Sequence, residues 1–208
     1  MKKSNAEDDL AYVRAIAEEG RNVPLVSGSS FIVWGGIIGT TALIQFFMSL
    51  GVLPSVNMIA LWSTAFVLGW TVGTVVSNRS NQAPGASSVG NRIVGAVWSA
   101  CGIFISLYWL SLVAAYFLYR GDLAPVGFLF ATMFPVAFGI YGVAFYVTAI
   151  AANQSWYKWV SVGSWTISVI LILTLMTDMM LLLSALGTYA VVLAPGLIML
   201  KDQPSDIV

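Results

Sequence analysis

No charged residue occurs between Pro24 and Asn78. A stretch that long exceeds the roughly 20 apolar residues that cross a hydrocarbon core. The turn-like Gly51-Val52-Leu53-Pro54-Ser55 divides it into two predicted spans, Val26 to Leu50 and Val56 to Val76. Ser77 to Asn91 is rich in Ser, Asn, Gly and Pro and is bracketed by Arg79 and Arg92, the composition of a solvated linker. A third apolar run covers Ile93 to Leu118 and stops at Tyr119-Arg120-Gly121-Asp122. The fourth covers Pro125 to Ala151, with Pro125 suited to a first helical turn. After Asn153-Gln154-Ser155-Trp156-Tyr157-Lys158, apolar sequence continues from Trp159 to Leu200, interrupted by one charge, Asp178. That run is about twice the length of one span, so it reads as two helices joined by a tight turn at Thr177-Asp178. The expectation is an all-α membrane protein with six transmembrane helices: a tail at 1–25, a membrane domain at 26–200 and a second tail at 201–208.

Composition narrows the function classes. The chain has 208 residues, 59 % hydrophobic and 9 % charged, against about 25 % charged in an ordinary soluble domain. A water-soluble globule is excluded. Nine Lys+Arg balance nine Asp+Glu, so there is no basic excess to displace counterions from phosphates, and nucleic acid is not an expected partner. Histidine is absent, which removes imidazole metal ligation and Ser-His-Asp catalysis. The placement of charge predicts orientation. With a cytoplasmic N-terminus, the inside segments hold Lys2, Lys3, Arg14, Arg21, Arg79, Arg92, Lys158 and Lys201, and the outside loops hold only Arg120. The positive-inside rule then places both termini in the cytoplasm. No cleavable signal peptide is expected, because a mixed-charge tail precedes the first span.

Ser4 to Gly20 is predicted to form a short amphipathic cytoplasmic helix. Ser4-Asn5-Ala6-Glu7 fits a capping box, Glu7, Asp8 and Asp9 suit the positive end of the helix dipole, and Gly20 followed by Pro24 is a stop signal. Leu10, Val13, Ile16 and Ala17 recur at helical spacing and form one apolar arc. That arc either lies against the cytoplasmic face of its own bundle or docks a partner protein. The slightly acidic balance disfavours anionic lipid as its target. The segment Asp9-Leu10-Ala11-Tyr12-Val13-Arg14-Ala15-Ile16-Ala17-Glu18-Glu19-Gly20-Arg21-Asn22-Val23-Pro24-Leu25, followed by a Gly/Trp-containing span, resembles uncharacterised small polytopic inner-membrane proteins of proteobacteria. The resemblance implies a bacterial inner membrane and brings no activity, ligand or catalytic residue with it.

Within the predicted spans no Asp, Glu, Lys or Arg sits at mid-membrane depth, which argues against ion-coupled pumping. Gln45 is the most polar long side chain in a span; it reads as an interhelical hydrogen-bonding group or, with Thr40, Ser161 and Ser164, as part of a polar path for small neutral solutes. Small residues are organised as helix-packing faces: Gly35 and Gly39, Gly69 and Gly73, Gly139 and Gly142, Ala190 and Ala194, and Ser161, Ser164 and Ser168. They would pack the bundle internally or form a homo-oligomer seam. Pro135 and Pro195 are expected to kink spans four and six. Trp34, Trp98 and Trp165 recur near the start of spans one, three and five, a spacing that fits three helical hairpins related by duplication.

No catalytic constellation assembles. Asp122 and Asp178 both fall on the outer side, where a paired-carboxylate site is conceivable, but a helix cap at Thr177 or Asp178 and a loop aspartate at 122 explain them as well. Met176, Met179 and Met180 surround Asp178, yet apolar residues at helix ends account for them more simply than copper binding does. Cys101 is the single cysteine and reads as a core filler. Neither a cofactor nor a metal is expected. The favoured reading is a non-enzymatic accessory, regulatory or assembly subunit acting through helix packing and its N-terminal helix. Its alternatives are an oligomeric channel or facilitator for ions or small neutral solutes, and a membrane enzyme with an outer-face carboxylate site.

Overall fold

The computed structural model describes residues 10–11, 28–80, 88–119 and 124–201. Among these the chain is helical, without a strand: α1 (Gly28–Ser49), α2 (Met58–Ser80), α3 (Val89–Leu118), α4 (Ala124–Ala131), α5 (Met133–Ala151), α6 (Trp156–Leu173), α7 (Asp178–Thr188), a π turn (Tyr189–Leu193) and α8 (Ala194–Lys201). Taking α4 with α5 and α7 with α8, six helices are long and apolar enough to cross a membrane. In that setting helices alone satisfy every backbone group within one segment.

The polar residues of the predicted linker extend two helices beyond the apolar runs. α2 continues to Ser80 and α3 begins at Val89, because the backbone ladder does not need apolar side chains to propagate. Ser88 supplies the start of α3, its hydroxyl accepting from the Asn91 N–H at 3.3 Å. Asn57 does the same for α2, accepting from the Ala60 N–H at 3.1 Å.

Both prolines reshape their spans as discontinuities rather than simple bends. Pro135 has no N–H to give, and the fourth span breaks one turn earlier at Thr132. There the Thr132 hydroxyl donates to the Leu129 carbonyl at 2.6 Å and takes a 2.6 Å bond from the Tyr108 hydroxyl. In the sixth span the Ala194 N–H reaches back five residues to Tyr189, a π turn immediately ahead of Pro195. The turn before it has Met176 at φ 65°. Thr177 occupies the N-cap of α7 without a side-chain capping bond. Its hydroxyl donates instead to the Thr174 carbonyl at 2.7 Å, so the expected Thr177 cap is not made, and Asp178 stands in the first turn of α7.

Consecutive spans run antiparallel. Gly28 meets Gly196 and Gly35 meets Leu193 along α1 and the sixth span. Ser161 bonds Gly142 and Ser168 bonds Pro135 along α6 and α5, and Gly90 meets Ala151 along α3 and α5. Arg79, Arg92, Lys158 and Lys201 therefore lie at one end of the bundle, and Asp178 lies at the other. Phe138, Phe145, Tyr157 and Leu171 are enclosed at its centre. Its outside is equally apolar, with Leu107, Val169 and Leu173 exposed, as a surface in contact with acyl chains requires.

Candidate functional site

α2 and α3 scarcely approach one another as backbones; they meet through side chains. Trp62, Phe66 and Trp70 recur at i, i+4 and i+8 on one face of α2, and Trp98 and Trp109 project from α3. The Phe66 ring stacks on Trp109 at 5.8 Å, and the Trp70 indole N–H donates to the Ser106 hydroxyl at 3.0 Å. Trp62 packs edge-on to Phe134 at 5.3 Å, and Trp109 meets Phe130 at 5.4 Å. Rings of this size hold the two helices apart. The space left between them is a chamber of about 880 Å³, backed by α1 and closed on a third side by α4 and α5.

The chamber follows the length of α2, from Asn57 at one end to Ser77 and Asn78 at the other. A 23-residue helix rises about 35 Å, enough to cross the hydrocarbon layer. Polar groups stand at both ends, Asn57, Thr177 and Asp178 at one and Ser77 and Asn78 at the other, with Gln45, Ser99, Ser106 and Tyr141 between them. Aromatic side chains make up most of the wall along its length, and the indoles of Trp62, Trp70 and Trp98 are paired. The Trp62 indole N–H donates to Gln45 Oε1 at 2.7 Å. Trp98 donates to the Thr148 hydroxyl at 3.1 Å, which passes its own proton to the Ala144 carbonyl at 2.8 Å.

The residues singled out from the sequence distribute unevenly around this chamber. Gln45 lines it. Thr40 does not: it lines a shallow groove elsewhere and bonds the Tyr189 hydroxyl at 3.1 Å. Five residues apart on one helix, the two side chains diverge by about 140°, so they do not line one path. Ser161, Ser164 and Ser168 are committed to the α5–α6 seam, donating to the carbonyls of Gly142, Phe138 and Pro135 at 2.6, 2.8 and 2.7 Å.

The glycine faces are all used within the chain, in two ways. Gly35 admits a backbone, the Leu193 nitrogen lying 2.7 Å from where a Cβ would stand. Gly39, Gly69 and Gly142 admit rings instead: Tyr189, Trp34 and Trp165 occupy the space a side chain would need. Gly73 extends the cradle under Trp34 at 3.1 Å, and Gly139 accepts the Trp165 indole N–H on its carbonyl at 3.1 Å. Trp34 and Trp98 turn toward the following span and Trp165 toward the preceding one, so the three recurring tryptophans occupy different environments.

Of the apolar arc in the N-terminal segment, Leu10 is exposed, and Val13, Ile16 and Ala17 lie outside the described residues, as does Asp122. Asp178 is exposed at the mouth of the chamber. Cys101 lines the wall of α3. Among the described residues no three His, Cys, Asp or Glu side chains gather to hold a metal. Met176 and Met180 line the chamber while Met179 does not, so the three thioethers do not gather at one site. The aromatic face of α2 and the ring of Trp109 were the features least visible beforehand. The i, i+4, i+8 spacing of Trp62, Phe66 and Trp70 was their one signal.

Fold and chamber together define an integral membrane protein with six transmembrane-capable helices around an aromatic-walled interior space. No protein-family model, curated protein or solved structure matches the chain.

Proposed function

We propose that this protein is a membrane-embedded binding subunit that holds a largely apolar, membrane-soluble molecule in the chamber between α2 and α3. One observation carries the reading: two adjacent spans are separated by aromatic side chains along their length, leaving about 880 Å³ unfilled where bundle helices ordinarily pack in direct contact. Pockets of this volume, with apolar walls and few polar groups, are the common form of small-molecule sites. A polar conducting path is less well supported, because rings stand between the two polar ends. Catalysis finds less support too, since the lining is rings and hydroxyls around a single described carboxylate, Asp178.

This is a specific form of the accessory role expected from the sequence. The N-terminal segment, expected from its sequence to form an amphipathic helix, is the docking element for a protein partner in this reading, with Leu10 exposed. The segregation of Arg79, Arg92, Lys158 and Lys201 from Asp178 supports cytoplasmic termini, and the N-terminal resemblance supports a bacterial inner membrane.

Native mass spectrometry of gently extracted protein tests the binding role. Gly95 opens on the chamber, and a Cβ there would meet nothing within 4 Å, so Gly95→Phe obstructs part of the space without a clash at its root. Wild type is expected to carry an apolar adduct that Gly95→Phe loses. Equal adducts on both proteins, or none on either after reconstitution in lipid, would overturn the reading.

A further inference from the structure

Several hydrogen-bond donors in the chamber wall lack a partner among the described residues, the Trp34 indole and the Tyr141 hydroxyl included, and two of them flank the Trp62–Phe66 stretch of α2. Trp109 is only 7 % exposed, and its indole N–H makes no hydrogen bond there. Every fully enclosed side-chain nitrogen or oxygen among the described residues is paired, so this free N–H is not fully enclosed, and the residue that carries it lines the chamber. Gln45 supplies the second. Its Oε1 accepts from Trp62 at 2.7 Å, which fixes the orientation of the amide and leaves the Nε2 hydrogens without a partner.

The two donors are close in height. Gln45 is tied to Trp62, and Trp109 is stacked on Phe66. Trp62 and Phe66 are successive along one face of α2, four residues or about 6 Å apart along the helix axis. Around them stand the rings of Phe130 and Phe134. Buried donors without acceptors are costly in an apolar site, and a ligand that supplies acceptors removes that cost. The described wall near these donors has no cation to recognise an anion, and aromatic faces favour a flat partner.

We infer that the chamber takes a neutral, planar carbonyl compound with an apolar tail, a quinone in chemical class, whose carbonyl oxygens accept from Trp109 Nε1 and Gln45 Nε2. This rests on the chamber being a binding site, and it names the chemistry of the occupant. No electron transfer is part of the proposal.

Equilibrium retention on the full chain in lipid nanodiscs tests it, with two probes: a decyl-substituted benzoquinone, and decylbenzene, which keeps ring and tail but has no acceptor. Wild type should retain the quinone saturably and more tightly than decylbenzene. Trp109→Phe, which keeps an aromatic ring, and Gln45→Leu made in a Trp62→Phe parent, so that no indole N–H is freed, should each weaken quinone retention about tenfold relative to its parent, the effect of one hydrogen bond, with a smaller change for decylbenzene. Unaltered helical circular dichroism and elution volume would show that both variants fold. Should the two probes bind alike and both variants behave as their parents, the carbonyl inference fails while the chamber remains a binding site. Should neither probe saturate, the binding role itself fails.

Discussion

The indole of Trp34 occupies the volume that a side chain at Gly69 would need. A small-xxx-small step on α2 thus serves to seat a ring from α1 rather than to bring two backbones together. An alanine at 69 has to displace a half-buried tryptophan that also packs edge-on to Trp70 at 5.8 Å. Overpacking of this kind costs about 1–3 kcal/mol, so Gly69→Ala should lower resistance to denaturant unfolding in mixed micelles by that amount. The double variant Gly69→Ala/Trp34→Ala should lose less than the sum of the singles, because the collision disappears with the ring. Additive losses would show that the two residues do not share the space.

The α5–α6 seam rests on hydroxyl-to-carbonyl bonds. Ser161 and Ser164 are fully enclosed, and each donates to a carbonyl on α5. Ser164→Ala should cost about 0.5–1.5 kcal/mol, in the range of interhelical hydrogen bonds in membranes. Ser164→Val should cost more, since it removes the donor and adds volume. Thr166, exposed and bonded only to its own helix at Val162, gives the control: Thr166→Val should change unfolding by less than about 0.5 kcal/mol.

Glycine faces often hold membrane oligomers together, but those of α1 are occupied by the sixth span of the same chain. Gly35→Leu would drive a side chain into the Leu193 backbone, and Gly39→Leu into the Tyr189 ring. Both should reduce the yield of folded protein and its thermal stability. Neither should convert an oligomer into a monomer on light-scattering chromatography. A clean shift in oligomeric state with full stability would place these glycines at an intermolecular seam.

Orientation is open to a labelling measurement. In a Cys101→Ser background expressed in bacterial cells, Ser55→Cys stands at the Asp178 end of the bundle and Lys201→Cys at the basic end. A membrane-impermeant maleimide should label position 55 in intact cells and position 201 only after permeabilisation. The reverse pattern would invert the topology.

Much of this architecture was legible along the chain. The six apolar runs, the turns at Gly51–Ser55 and Thr177-Asp178, and the segregation of bases from Asp178 depend on burial and charge over one segment at a time, and a linear pattern carries that information. The small-residue pairs were legible as packing faces for the same reason. Their use was not. Gly35 and Gly69 sit in similar local sequences, yet one receives a backbone and the other a tryptophan, because the partner is set by helices distant in sequence.

Gln45 shows the same division in a single residue. The sequence by itself determined that an uncharged polar group would stand inside an apolar span and need a partner, since an unpaired amide in hydrocarbon is costly. Only the tertiary structure decided that Trp62 satisfies its oxygen, that Gln45 lines a chamber, and that Thr40 turns elsewhere. Hydropathy determines how deep each helix sits in the membrane. How the helices rotate and which faces meet depends on the fit of rings into gaps, and a chamber between α2 and α3 exists because the rings of Trp62, Phe66, Trp70 and Trp109 are too large for those helices to close.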